Sequence, residues 1–171
     1  MRCLSYNVDT EEKIRHERLS REFFVVRRMT KTDIPEVLEI ERLSFPNPWR
    51  QSVFEGEVDN APISHPIVVI HSRLKKIIGY IIYWQIKEEI QISNICIHPD
   101  FRRLGIGEMI LKDLIAGAKE NGGEYIILEV RPSNTTAKKL YEKLGFQNVG
   151  IRHDYYMNPQ EDADILALKL S

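Results

Sequence analysis

No stretch of this chain approaches the ~18 consecutive apolar residues that a membrane-crossing helix needs. Cysteine is almost missing: Cys3 and Cys96 are far apart, the second inside a β-branched run. That excludes a disulfide framework and points to a reducing compartment. The five histidines show no ligand spacing, so no metal site is expected. An excess of one charge is lacking too, since 24 Lys and Arg against 25 Asp and Glu leave a net charge of −1. A general nucleic-acid surface is therefore disfavoured. The N-terminus turns acidic at Asp9, Glu11 and Glu12 without an apolar core, unlike a secretion signal, and no internal repeat is present. The expectation is a soluble, cytoplasmic protein with neither membrane nor nucleic acid as partner.

What is present fits one folded domain. Of 171 residues 43% are hydrophobic, enough to bury a real core. Residues 1–22 are rich in charge and read as an arm; the domain runs from 23 to 171. Residues 23–29 (FFVVRRM) read as a first strand. Ile34, Val37, Leu38, Glu41 and Phe45 trace a helix started by Thr30 to Asp33, with Pro35 tolerated in its first turn. A second short helix covers about 51–58. Residues 67–72 and 77–85 read as a hairpin around a charged turn.

The organising stretch is 90–121, IQISNICIHPDFRRLGIGEMILKDLIAGAKEN. Its first part is a strand in which Ile90 and Ile92 share one parity and Ile95 and Ile97 the other. Either one extra residue forms a β-bulge near Ser93 and Asn94, or the strand is buried on both faces. Its last part repeats Ile106, Ile110, Leu114 and Ala118 every four residues, an amphipathic helix closed by Asn121-Gly122-Gly123. Between them lies Arg102-Arg103-Leu104-Gly105-Ile106-Gly107. Strand, glycine turn and helix present backbone N–H groups to an anion. A nucleotide-triphosphate loop is excluded because Glu108 stands where Lys is needed, and a dinucleotide fingerprint because position 110 is Ile.

Downstream, 125–130 (YIILEV) reads as a central strand carrying one carboxylate, Glu129. A helix follows over 134–144, capped by Ser133 or Asn134 and closed by Gly145. Ala137, Leu140 and Leu144 form its core face, while Asn134, Lys138 and Tyr141 share another. Residues 146–152 and 165–170 read as two last strands, separated by a loop holding Tyr155, Tyr156, Glu161, Asp162 and Asp164.

The Arg-x-x-Gly-x-Gly turn resembles that of the GNAT superfamily of acetyl-CoA-dependent N-acetyltransferases. Leu128-Glu129-Val130-Arg131-Pro132-Ser133-Asn134, then Ala137 and Leu140-Tyr141-Glu142-Lys143-Leu144-Gly145-Phe146, resemble the RimI-like N-terminal acetyltransferases of that superfamily. Asn94-Ile95, His98-Pro99-Asp100, the Phe45-Pro46-Asn47-Pro48-Trp49 loop and Tyr155-Tyr156 followed by Glu161-Asp162-Ala163 extend the resemblance over about 23–170.

The resemblance implies a GNAT fold: an α/β mixed sheet of six or seven strands, four helices, and fourth and fifth strands splayed to receive acetyl-CoA. It implies that Arg102, Arg103, Leu104, Gly105, Ile106, Gly107 and Glu108 hold the coenzyme pyrophosphate and that Asn134 meets the pantetheine arm. A free main-chain N–H beside the bulge, at Ile95, Cys96 or Ile97, would donate to the oxyanion of acyl transfer. Glu129 would be the proton acceptor and Tyr141 the proton donor. The implied reaction carries acetyl to the α-amine of a protein, a ribosomal protein's terminal Ala or broader Ala, Ser and Met termini.

Each role has a plainer counterpart. Glu129 is either a base, its charged form disfavoured in an apolar strand, or a partner of Arg131 or Lys138. Tyr141, on the open face of its helix, either donates or only packs. Phe45 and Trp49 either wall the substrate or plug the core. Tyr155 and Tyr156 point to opposite faces if extended, so one lines the peptide groove. Lys138 is solvated or phosphate-facing, and the acidic loop either greets a basic peptide or is solvated. The same core would also serve a small-amine or lysine acetyltransferase, or a non-catalytic acyl-CoA sensor.

Overall fold

The computed structural model describes residues 23–170. The arm expected at 1–22 lies outside the described residues. Seven strands form one sheet: β1 (Phe24–Arg28), β2 (Ser64–His71), β3 (Lys76–Ile86), β4 (Glu89–Ile97), β5 (Tyr125–Val130), β6 (Gln147–Tyr156) and β7 (Glu161–Lys169). The spatial order is β1-β2-β3-β4-β5-β7-β6, antiparallel except between β4 and β5. Among the described residues four α-helices cover it: α1 (Ile34–Ser44), α2 (Gln51–Asp59), α3 (Ile106–Glu120) and α4 (Thr135–Lys143).

The sheet separates two apolar clusters. On one face Ile34, Val37, Leu38 and Ile40 of α1 and Phe54 of α2 pack on Val68, Tyr80 and Ile82. On the other, Ile106, Ile110, Leu111 and Ala118 of α3 and Tyr141 of α4 pack on Ile81, Ile90, Ile92, Ile126 and Leu128.

β4 resolves its parity slip by a bulge. Ile82 pairs with Asn94 and Tyr83 with Ile92, so Ser93 is the extra residue. The slip lets Ile95 and Ile97 join Ile90 and Ile92 on the α3 face. An unbulged strand would turn the last two away, forfeiting roughly 2 kcal/mol of burial for each.

The second consequence is the split. β4 and β5 pair only from Glu89 with Tyr125 to Ile92 with Leu128. Beyond that rung β4 stays with β3, while Glu129 and Val130 of β5 pair with Ile165 and Asp164 of β7. The gap opens at the bulge.

One sequence expectation is corrected at the C-terminus. β6 runs on to Tyr156 and β7 begins at Glu161, so the expected long loop is a turn over 157–160. Arg152 pairs with Ala163 and Tyr156 with Glu161, so three residues of β6 face one of β7, with Asp154 at φ 53° inside the irregularity. A run broken by Arg152, His153 and Asp154 hides its strand character, and a left-handed residue breaks alternation.

Candidate active site

At the mouth of the split the main chain of β4 is half-satisfied. His98 N–H donates to Ile78 O at 2.8 Å, so by alternation Cys96 faces β3, whereas the amides of Ile95 and Ile97 face the gap. No β5 residue pairs with them there. Of the three expected backbone contacts, Ile95 and Ile97 are available and Cys96 is engaged in the β3 ladder.

The glycine turn sits at the end of that strand. Gly105 takes φ 76° as the residue before α3, and Arg103 takes φ 60°. Met109 N–H makes the first helical bond, to Gly105 O at 2.9 Å, which leaves the amides of Ile106, Gly107 and Glu108 directed outward. A Cβ on Gly107 would lie 3.6 Å from Leu140 and 3.9 Å from Ile97, so the helix start closes on the split.

Charge around the turn departs from expectation. Arg102, though exposed, braces the loop: its Nε donates to Ile97 O at 2.9 Å and its Nη2 to Ser44 Oγ at 2.6 Å. Arg103 is exposed and makes no ion pair among the described residues. Glu108 meets Lys112 at 2.8 Å and Lys143 at 2.7 Å, which hold its carboxyl down to about 2. Two cations thus offset a carboxylate that would otherwise oppose a phosphate.

Glu129 sits one residue past the last β4–β5 rung, with its side chain 10% exposed. Neither expected cation is its partner, because Arg131 pairs with Glu161 and Lys138 with Asp164. Arg152 Nη1 instead reaches Glu129 Oε1 at 3.1 Å, and Gln91 Nε2 lies 3.4 Å from both carboxylate oxygens.

Tyr141 is buried, not open: it is 6% exposed, packs on Phe146 with ring centroids 5.6 Å apart, and burial pushes its hydroxyl up to about 12. Tyr156 is raised by burial first, then by Tyr155, Glu129 and Tyr141, while the Arg131 cation opposes the rise. Those side chains therefore share one electrostatic neighbourhood. Asn134 caps α4, its Oδ1 accepting from Ala137 N–H at 3.2 Å.

The outer wall joins two loops. Asn47 donates to the carbonyls of Met157 and of Asn158, the latter at 3.3 Å, so the loop before α2 touches the β6–β7 turn. Arg131 holds the same turn through Pro159 O at 3.1 Å and Met157 O at 3.3 Å, and its guanidinium covers the Tyr156 ring at 4.1 Å. Tyr155 and Tyr156 do not part to opposite faces; their rings meet edge-on at 4.9 Å, because the irregular β6 turns them together. Phe45 and Trp49 are half-buried against the α1–α2 core, which favours the plugging role while leaving each an outer edge.

The acidic residues of β7 are internally matched. Glu161 accepts from Ser133 N–H at 2.7 Å, Asp162 meets His153 at 3.0 Å, and Asp164 meets Lys138 at 2.6 Å. They are not free for a basic peptide, and the partly exposed Lys138 is paired with Asp164.

Sequence reasoning missed Glu41, Gln91 and Arg152 as site members. Glu41 is 1% exposed and accepts from Tyr80 O–H, from Trp49 N–H at 2.8 Å and from Asn94 Nδ2 at 3.4 Å, and burial raises its carboxyl. It ties the outer wall to the bulge. The available signal was a carboxylate on the apolar stripe of α1. Arg152 lies 23 residues from Glu129, and no local spacing signals such a contact.

A family model described as the acetyltransferase (GNAT) family matches residues 34–146. The ribosomal protein bS18-alanine N-acetyltransferase of Salmonella typhimurium is 34% identical over 145 residues, 84% of this chain and 95% of that protein. A Bacillus subtilis protein provisionally given the same name is 38% identical over 141 residues, 82% of this chain and 92% of that one. The crystal structure of the ribosomal-protein-S18-alanine N-acetyltransferase from Escherichia coli superposes with a TM-score of 0.79 at 31% identity, covering 86% of this chain and 94% of that chain. Ard1 from Thermoplasma volcanium shares the fold alone, with a TM-score of 0.78 at 21% identity over 87% of this chain and 99% of that one.

Proposed function

This chain belongs to the acetyltransferase (GNAT) family, and from that premise we propose that it acetylates protein N-termini, taking acetyl from acetyl-CoA. The names of its relatives support a ribosomal protein's terminal alanine as the acceptor, within a broader possible range of Ala, Ser and Met termini. The observation that carries the reading is the position of Glu129. It is a nearly buried carboxylate at the vertex of the split, one residue beyond the last rung that joins β4 to β5.

The residues fit the coenzyme. The outward amides of Ile106, Gly107 and Glu108, with Arg103 beside them, suit the pyrophosphate. The gap-facing amides of Ile95 and Ile97 suit the pantetheine arm and the thioester oxygen as charge builds on it. Asn134 keeps its Nδ2 for the same arm. Acetyl-CoA supplies an activated acyl group.

The remaining chemistry belongs to the acceptor side. A peptide α-ammonium has a pKa near ~8 and must lose a proton to attack. One proton leaves to solvent, and the neutral nitrogen then bonds to the acyl carbon. The carbon–sulfur bond breaks with coenzyme A departing as its thiolate, and Glu129 takes the second proton from the nitrogen. Tyr141, protonated throughout the neutral range, donates a hydrogen bond to the leaving sulfur. Phe45, Trp49, Tyr155 and Tyr156 border the entry, and the Asn47 bridge beneath them suits a chain end that enters tip first.

The test is mass spectrometry of a mixed peptide library incubated with acetyl-CoA, wild type beside Glu129→Gln. Acetylation of α-amines, slowed at least ~100-fold in the variant, is expected. Equal modification of peptides with blocked termini would redirect the activity to lysine. Coenzyme binding without any modified peptide would defeat the proposal in favour of a small amine or a sensor.

A further inference from the structure

The contact between Arg152 and Glu129 has no counterpart in the local motifs and raises a chemical question. Glu129 Oε1 is 3.1 Å from the guanidinium, while Oε2 has only the Gln91 amide at 3.4 Å. Arg152 itself is 53% exposed, held over the Tyr155 ring at 5.0 Å. A buried carboxylate facing an incoming α-ammonium would stabilise the ammonium, which cannot attack. A cation already seated on that carboxylate offsets the attraction.

We infer that Arg152 is a positioning residue of the acceptor site. Its guanidinium fixes one oxygen of Glu129, leaves the other for the amine, and cancels the charge that would hold the acceptor in its protonated form. This rests on the acetyltransferase reading given above. It suits the acceptor already proposed, a terminal amine with an ordinary pKa near ~8, better than a lysine amine near ~10.4.

The other charges around the pair do not duplicate this role. Arg131 is tied to Glu161 and to the 157–160 turn, and Lys138 to Asp164. His153 is matched by Asp162 at 3.0 Å. Tyr141 and Tyr156 have raised hydroxyls and are neutral. Gln91 is the β4 neighbour and carries no charge, and Glu41 is enclosed by Tyr80, Trp49 and Asn94. Arg152 is the cation in contact with Glu129 among the described residues.

The experiment is the pH dependence of kcat at saturating acetyl-CoA and peptide, for wild type, Arg152→Gln and Arg152→Lys. This profile reports groups within the complex. The acid limb of Arg152→Gln should move to higher pH by on the order of one unit, with activity recovering at alkaline pH, and Arg152→Lys should move it back. A uniform loss at every pH, or an unmoved limb, would overturn the inference and leave Arg152 a structural residue. If Arg152→Gln does not fold, the wild type decides: the α-amine of a 15N-labelled peptide, bound with desulfo-coenzyme A, should titrate at or below the free peptide's value. Titration above it overturns the inference. Failure of the wild type to acetylate any peptide would sink the function proposed above, and is read separately from the shape of the limb.

Discussion

Burial sets what Tyr141 could do in the proposed reaction. Its hydroxyl stands at about 12, whereas a free thiol has a pKa near ~8.5. Complete transfer of the phenolic proton to a thiolate is therefore uphill by about 3.5 units, or roughly 5 kcal/mol. A hydrogen bond to the departing sulfur remains favourable, so in the proposed reaction Tyr141 would assist without becoming a phenolate. Tyr141→Phe keeps the packing against Phe146 and should lower kcat about 10- to 100-fold, with the apparent affinity for acetyl-CoA changed less than threefold. Steady-state kinetics with peptide and coenzyme varied in turn checks this; a loss confined to coenzyme affinity would remove Tyr141 from the chemical step. Glu41 makes a different case. Its oxygens accept from Tyr80, Trp49 and Asn94, and Glu41→Gln turns one acceptor into a donor facing donors. A stability loss of about 1–3 kcal/mol by denaturant unfolding is expected.

Gly79 shows why β4 can end where it does. A Cβ there would lie 2.6 Å from Ile97 Cδ1 and 2.9 Å from Cys96 O, and the second is backbone that cannot step aside. Gly79→Ala should cost about 1–3 kcal/mol and displace the strand tail whose amides face the gap, so peptide acetylation should fall with stability. At the start of α1, Asp33 takes both Arg27 nitrogens at 2.7 Å and the Thr30 amide at 2.7 Å. The carboxyl is held down to about 2, with the guanidinium as first cause. A depressed folded pKa adds stability that is present above the unfolded value of 3.8 and fades as pH falls toward 2. Asp33→Asn should cost roughly 2 kcal/mol at pH 7 and only a small fraction of that near pH 2, which urea unfolding at both pH values would measure. These elements also mark what local sequence reveals. The isoleucine parity slip in β4 and the four-residue repeat of α3 are written in adjacent residues, as are the glycine turn and the Leu128–Asn134 block. The pairing of Arg152 with Glu129, the bridge from Asn47 to Met157 and the extension of β6 through Tyr156 are set by strand register. Nothing within a few residues of them encodes it.

The molecule is two half-sheets, β1 to β4 and β5 to β7, joined by four paired rungs and by α3 with the cluster beneath it. Past Ile92 nothing in the sheet ladder holds the halves together, and the α3–α4 core bears the load through Ile106, Ile110 and Tyr141. A ligand that bonds the Ile95 and Ile97 amides on one wall and the α3 start at the other would supply the missing link. It would bind the folded state alone, so acetyl-CoA at 100 times its Kd should add about 2.7 kcal/mol of stability. For a chain of 171 residues that corresponds to a rise in Tm of roughly 5–10 °C. Hydrogen exchange locates the gain. The Ile95 and Ile97 amides, which lack a partner in the sheet, should slow on coenzyme binding, along with the amides of Ile106, Gly107 and Glu108. Cys96, already bonded to β3, should change little at first. If the coenzyme stabilised the fold while those five amides exchanged unchanged, the ligand would be held elsewhere. The open strand would then be a feature of the sheet and not of the site.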